Sequence, residues 1–322
     1  MSRVHVTTHG CVLLIATIAS LTWAENNASV QVPVTAKSTP LPPVVIPMDN
    51  NNHRNQSHAF VNISSVAYTS KYPRRKLHWV YTNHHFSIVN PPPSSTVHAK
   101  SGRQYELWKP SHQAQQFGCD VAAVNGGPYH ADGTSCGPLV MQGRLVQNVS
   151  SDWIGIGITD HNVWVLGNYH EIMAQWSSLH PNLQGHSLRS FVTGFHWLLY
   201  NGTIVAKDND NEGGQGQRIP RAARTAVGIA DDGTLALLVV DGCEKCIRNK
   251  GLSLTELAWV IKQQSTNIRY AINLDGGGSS TLIYQGRVQN RPMCLDIGVE
   301  CERPVASVIC LDSTPTYHVL RP

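Results

Sequence analysis

The run Ala271-Ile-Asn-Leu-Asp275-Gly-Gly-Gly278-Ser279-Ser280-Thr281 has the residue types of a reaction centre. An apolar stretch that reads as a strand delivers the Asp275 carboxylate to three glycines and three hydroxyls. Successive glycines cost conformational entropy, so a fold keeps them where the backbone takes positive φ or comes close to a ligand. The bare N–H groups of Gly276, Gly277 and Gly278, beside the hydroxyls of Ser279 and Ser280, would cradle an oxyanion or a phosphate. Asp275 would then serve as nucleophile or general base. The same residues also suit a plain strand-to-hairpin turn, with Asp275 bonding its own loop as an Asx-turn. Asp241 follows the apolar run 235–240 and precedes Gly242, and is a second carboxylate at a strand end. Arg224 offers the planar fork that matches phosphate oxygens, unless it belongs to a basic surface loop spanning 218–224.

These groups need a β framework to hold them. Short apolar runs with turn punctuation recur at 77–81, 86–89, 121–124, 139–146, 153–158, 163–166, 195–205 and 225–240. Asn201-Gly202 and Asp232-Gly233 supply the residues that tight hairpin turns require. One helix stands out: Ser253 with Glu256 makes a capping box, and Leu254, Leu257, Ala258 and Ile261 form an apolar stripe for the core. The pattern predicts an α+β fold, a single domain with a mixed, mainly antiparallel β-sheet and few helices, stabilised by disulfides. That domain is expected over 68–315, after a polar, Pro-rich linker at 25–67 and before a tail at 316–322.

With 322 residues, 41% of them hydrophobic, the chain can bury a sizeable core. A net charge of +4 is too mild to imply a nucleic-acid partner. Arg3 and His5 before the apolar run 11–21, then Thr22-Trp23-Ala24, read as a secretory signal peptide at 1–24. Nothing later is apolar enough to span a membrane, so the expected product is soluble, in the secretory lumen or secreted. N-x-Ser/Thr sequons at Asn27, Asn55, Asn62, Asn148 and Asn201 suit that compartment. So do the seven cysteines left after cleavage, which should pair with one thiol over. Cys243-Glu-Lys-Cys246 has no companion zinc motif and reads as a local disulfide or surface loop rather than a redox or metal CxxC. The run Asp208-Asn-Asp210-Asn-Glu212 starts like a calcium loop but has Ile219 at its twelfth position, so neither metal nor cofactor is expected.

Several motifs occur in a family order: Asn125-Gly126-Gly127-Pro128-Tyr129, Arg224-Thr225-Ala-Val-Gly228, Val240-Asp241-Gly242, the segment 251–257, Asn273-Leu-Asp275-Gly-Gly-Gly278-Ser279-Ser280 and Arg303-Pro-Val305. The chain resembles the phosphodiester glycosidase domain over about residues 75–312. The resemblance implies an enzyme, a hydrolase that removes α-linked N-acetylglucosamine from a phosphodiester on a phosphorylated glycan and leaves mannose 6-phosphate exposed. Asp275, Asp241 and Arg224 would be the catalytic set, with Asp241 alternatively a sugar-hydroxyl ligand. Asn125, Gly126, Gly127, Tyr129, Thr225, Asn273, Gly276, Gly277, Gly278, Ser279, Ser280 and Arg303 would contact substrate, although Asn125 and Tyr129 also suit a turn and a core position. Pro128 departs from the usual family loop. The cysteine layout implies disulfides Cys294–Cys301 and Cys136–Cys310. A P–O-cleaving phosphodiesterase and a non-catalytic carbohydrate-binding protein are the alternative functions.

Overall fold

The computed structural model describes residues 41–47, 61–67, 76–82, 85–89, 105–179, 183, 185–208, 221–247, 250–264 and 267–313. The expected signal peptide, the sequons at Asn27 and Asn55, the calcium-like run beyond Asp208 and the expected tail lie outside them. Asn148 and Asn201 are exposed, as a glycan acceptor must be.

Arg224–Ala230 lies near the middle of a seven-stranded sheet, between Ile268–Asn273 and Leu235–Val240. Trp197–Tyr200 and Thr203–Ile204 extend one side of it, and Lys76–Thr82 and Val61–Ala67 the other. A six-stranded sheet runs Val44–Pro47, Val163–Asn168, Ile154–Thr159, Leu188–Thr193, Leu139–Met141, Arg144–Gln147. A five-stranded sheet runs Arg287–Val288, Leu282–Tyr284, Ala122–Asn125, Val308–Asp312, His85–Val89. Every pairing between these strands is antiparallel, so the parallel component of the expected mixed sheet is confined to an isolated bridge, Met293 with Cys301.

The inner faces of all three sheets share one apolar core, in which Val124, Leu139, Ile156, Val227, Leu237, Ile272 and Leu311 meet. The capping-box helix, Leu254–Gln264, covers the outer face of the seven-stranded sheet. Its Leu257, Ala258 and Ile261 pack on Leu199, Ala226, Ala236, Leu238 and Ala271, and the three alanines leave room for the helix to approach. The box forms as the sequence predicts: Ser253 N–H donates to Glu256 Oε2 at 3.0 Å and Glu256 N–H to Ser253 Oγ at 3.2 Å. Pro110–Gln116, Tyr169–Ala174 and Trp176–Leu179 are further helices, too short and polar to show a periodic stripe.

Two expectations are corrected here. Residues 44–47 and 61–67, inside the expected linker, are edge strands. Val44-Val45-Ile46 is β-branched and pairs with Trp164–Leu166, ending at Pro47, which an edge strand tolerates because its missing N–H faces no partner. The second correction concerns Cys310, which bonds Cys119 and not Cys136. The alternation of Val308–Asp312 puts Cys310 on the face that the 110–116 helix covers, where Ala114, Cys119, Ala123 and Cys310 form a buried cluster. Cys294–Cys301 and the local Cys243–Cys246 bridge form as expected. Cys119–Cys310 closes 191 residues of sequence. Replacing both by Ala is expected to lower unfolding stability by about 5 kcal/mol on loop-closure entropy, read as a fall in the urea midpoint.

Candidate active site

Antiparallel register gathers the candidate residues at one end of the seven-stranded sheet. Arg224 opens its strand opposite Val240, which Asp241 follows, and Ala226 sits opposite Asn273, which leads to Asp275. Past Asn273 the chain is pinned by its backbone: Leu274 N–H donates to Thr225 O at 2.9 Å and Gly277 N–H to Ala223 O at 2.8 Å. Gly277 takes φ 56°, and residues 277–279 form one 3-10 turn. A Cβ on Gly278 would fall 2.6 Å from both Arg303 Cζ and Cys294 O. Gly278→Ala is therefore expected to displace Arg303, costing about 1–3 kcal/mol of stability by overpacking and lowering turnover of the test substrate with it.

Asp275 is 3% exposed, and burial pushes its carboxyl up to about 6. The Ser279 hydroxyl, Arg303 and the Gly276 N–H hold that rise in check, while Asp296 adds to it. Ser279 lies close enough to act on the carboxylate without making a well-formed hydrogen bond. Arg303 donates from Nε to Cys294 O at 2.8 Å and from Nη2 to Asp296 Oδ2 at 2.7 Å. Burial disfavours its charge, yet Asp296 and Asp275 outweigh that and hold it protonated. Arg224 is 1% exposed and its Nε donates to Leu252 O at 3.0 Å, so it is a floor residue and not part of a surface loop. Tyr129 packs partly in the core and donates to Pro304 O at 2.7 Å. Burial, then the Asp275 charge, push its phenol well above the usual range, so it stays neutral beside the carboxylate.

Other predicted site residues form the frame. The Asn125 amide donates to Asp275 O at 2.7 Å and accepts from Thr225 Oγ1 at 2.8 Å and Thr281 N at 3.1 Å. One buried side chain thus ties three segments together. Gly126 and Gly127 press their backbone against Ser307 and Thr193, where a Cβ would clash with the Ser307 hydroxyl and the Thr193 main-chain oxygen. Asn273 is buried, and its main chain bonds Phe195 N and His196 O. Asp241 accepts from Arg291 N–H at 2.8 Å on one oxygen and lies 3.2 Å from His78 Nε2 on the other. It anchors the chain that leads to the 294–301 disulfide loop, while Asp296 acts electrostatically on Asp275. Neither Asp296, His78 nor Glu244 is visible as a site residue in the sequence. The cysteines around Asp296 and Glu244 are the signal that could have found them.

Ser279 Oγ, Ser280 Oγ, Thr281 Oγ1 and Asp296 Oδ1 are buried and make no hydrogen bond to any described residue. Buried polar groups are satisfied in nearly all folded proteins, so the unpartnered Ser279 and Asp296 atoms, both of which act on Asp275, mark where a polar ligand or water belongs.

Residues 119–311 match the sequence profile of the phosphodiester glycosidase family. The chain belongs to that family. N-acetylglucosamine-1-phosphodiester alpha-N-acetylglucosaminidases are its relatives: the mouse protein is 32% identical over 207 residues, covering 60% of this chain and 38% of that protein. The bovine one is 31% identical over 241 residues, covering 70% and 42%. This phosphodiester glycosidase therefore spans about two fifths of the length of those relatives. The zebrafish catalytic domain of that enzyme, solved auto-inhibited by its pro-peptide, superposes with TM-score 0.63 at 24% identity over 84% of this chain and 88% of that one, which shows a shared fold.

Metal-ligand chemistry occurs elsewhere among the described residues, where Asp160, His161 and His186 lie close together on the surface. The two imidazoles stack at 4.0 Å, and each sets its Nδ1 against a protein oxygen, His161 on Asp160 Oδ1 at 2.8 Å and His186 on Thr159 Oγ1 at 3.4 Å. In the candidate site itself, the polar groups are carboxylates, guanidinium groups, hydroxyls and backbone N–H. That donor set suits a phosphate and a sugar.

Proposed function

We propose that this phosphodiester glycosidase hydrolyses the glycosidic C1–O bond of a sugar-1-phosphodiester, with α-N-acetylglucosamine-1-phospho-6-mannose on glycans as its substrate class. The unsatisfied Ser279 hydroxyl, which acts on the Asp275 carboxylate, and the unpartnered oxygen of Asp296, whose other oxygen holds Arg303, carry this reading. In it, Arg224 and Arg303 face the phosphate, and the Gly276–Ser280 turn lines the site. Asp275, about one unit above its pKa at neutral pH and so ionised, attacks C1 or takes the proton of the water that does. The C1–O bond breaks with its electron pair on the phosphate oxygen, and the water oxygen ends on the sugar. A phosphate monoester has a second pKa of about 6, so it departs without a strong general acid. Asp296 holds Arg303 with one oxygen, and its other oxygen is available to a sugar hydroxyl.

Cleavage of a panel of sugar-1-phosphodiesters in ¹⁸O-water tests the reading. Label in the released sugar supports it; label in the phosphate means P–O cleavage and a phosphodiesterase. No turnover of any substrate by folded protein means a carbohydrate-binding role. Because the ionised carboxylate is the working form, kcat/KM is expected to fall as pH drops through about 6. A profile that peaks below pH 5 would remove Asp275 from that role.

No helix among the described residues is long and apolar enough to cross a membrane. The exposed sequons and the disulfides support a secretory-lumen or secreted setting for this activity.

A further inference from the structure

Two small disulfide loops meet beside the site. One is Cys243–Cys246, which encloses only Glu244 and Lys245; the other is Cys294–Cys301. They join at one carbonyl: Asp296 O accepts from Lys245 N–H at 3.0 Å, and Cys243 Sγ lies 3.0 Å from the same oxygen. Cys246 Sγ would lie 3.3 Å from a Cβ on Gly298, so the two loops are in close contact on that side as well. Asp296 is the residue whose carboxylate holds Arg303, and Arg303 acts on Asp275. The four-residue loop is thus one bond removed from the catalytic cluster, and it carries a carboxylate that the mechanism above does not use.

We infer that the Cys243–Cys246 disulfide is a positioning device of the active site, locking its loop onto Asp296 so that Glu244 is held as a further site carboxylate against Asp296 and the two arginines. The inference rests on the proposed reaction for its catalytic consequence, but its structural content stands apart. Glu244 is half-buried in that place, and its charge is shaped by its surroundings. Burial, then Asp296, raise its pKa, while Lys245, Arg224 and Arg303 hold it down. A carboxyl with that set of neighbours can accept a hydrogen bond from a sugar hydroxyl. An open, flexible loop would let it turn out into water, where the arginines and Asp296 no longer act on it.

The test uses the full chain with Cys243→Ser/Cys246→Ser, with Glu244→Gln, and with all three changes combined. Closing so short a loop contributes little to stability, so the Cys double variant is expected to fold with its thermal midpoint lowered by no more than about 5 °C. Turnover by the double variant and by Glu244→Gln is expected to fall on the order of 10- to 100-fold each, through misplacement or loss of one group. The combined variant is expected to fall no further, the non-additivity of residues acting as a unit. Independently of turnover, a ¹³C NMR titration of the Glu244 carboxyl should show a raised midpoint in the wild type that returns to the ordinary range in the Cys double variant. An unchanged titration with full turnover in the double variant overturns the inference, as do losses that simply add. A wild type that hydrolyses no sugar-1-phosphodiester overturns the proposed reaction, and the titration still decides whether the disulfide places Glu244.

Discussion

Asp275→Asn is expected to lose activity by about 10² to 10⁴-fold and to be more stable than the wild type at neutral pH. Both effects come from burial. The Asp275 carboxyl has a pKa of about 6 in the fold, above the roughly 3.9 of an unfolded Asp. The native state therefore holds the proton more tightly than the unfolded state, so the contribution of this group to stability is greatest below about pH 4 and is lost as pH rises through 6. At pH 7 the buried charge costs up to about 3 kcal/mol, two pKa units at about 1.4 kcal/mol each. Asn removes that charge while keeping the shape, so the gain should appear in urea melts at pH 7.5 and vanish near pH 4. Loss of activity without the pH-dependent gain would mean that Asp275 is not the buried, costly group described here. A gain without loss of activity would remove it from the chemistry.

Asn125→Ala is expected to be the most damaging single change in the site's frame. It would leave Asp275 O, Thr225 Oγ1 and Thr281 N–H buried without the partner that now sits at 2.7, 2.8 and 3.1 Å. Each stranded group costs about 1–3 kcal/mol, so a loss of about 4 kcal/mol in unfolding free energy is the expected reading. Turnover should fall too, because the Asp275 main chain loses its brace. Asn125→Asp is the informative companion. It keeps the acceptor oxygen but sets a carboxylate against the Asp275 and Gly126 carbonyls that the amide now donates to. Its deficit should be smaller at pH 4 than at pH 7. A well-folded Asn125→Ala protein that fails only in substrate affinity would instead make Asn125 a ligand of the sugar.

Much of the local structure is written in short stretches. Asn201-Gly202 takes φ of 49° and 70°, and Gln142-Gly143 and Gln285-Gly286 take similar pairs, which fix tight hairpin turns wherever the strands go. Ser253 and Glu256 start their helix with bonds that span only three residues. These features are legible because every partner lies within a few positions. The Val44–Pro47 strand is not, since four residues become a strand only when the edge of Val163–Asn168 is there to pair with.

The candidate site divides along the same line. The sequence alone determined that Asp275 ends a strand before a glycine turn and that Arg224 and Asp241 flank neighbouring strands, while the Cys294–Cys301 loop came from the family resemblance. Strand ends and glycine runs are local signals. Only the tertiary structure decided that Asp296 acts on Asp275, that Asn125 braces the site, and that Cys119 and not Cys136 meets Cys310. Those meetings join residues 21 to 191 positions apart, and side-chain partners at such separations are set by strand register and by which face of a sheet each residue occupies.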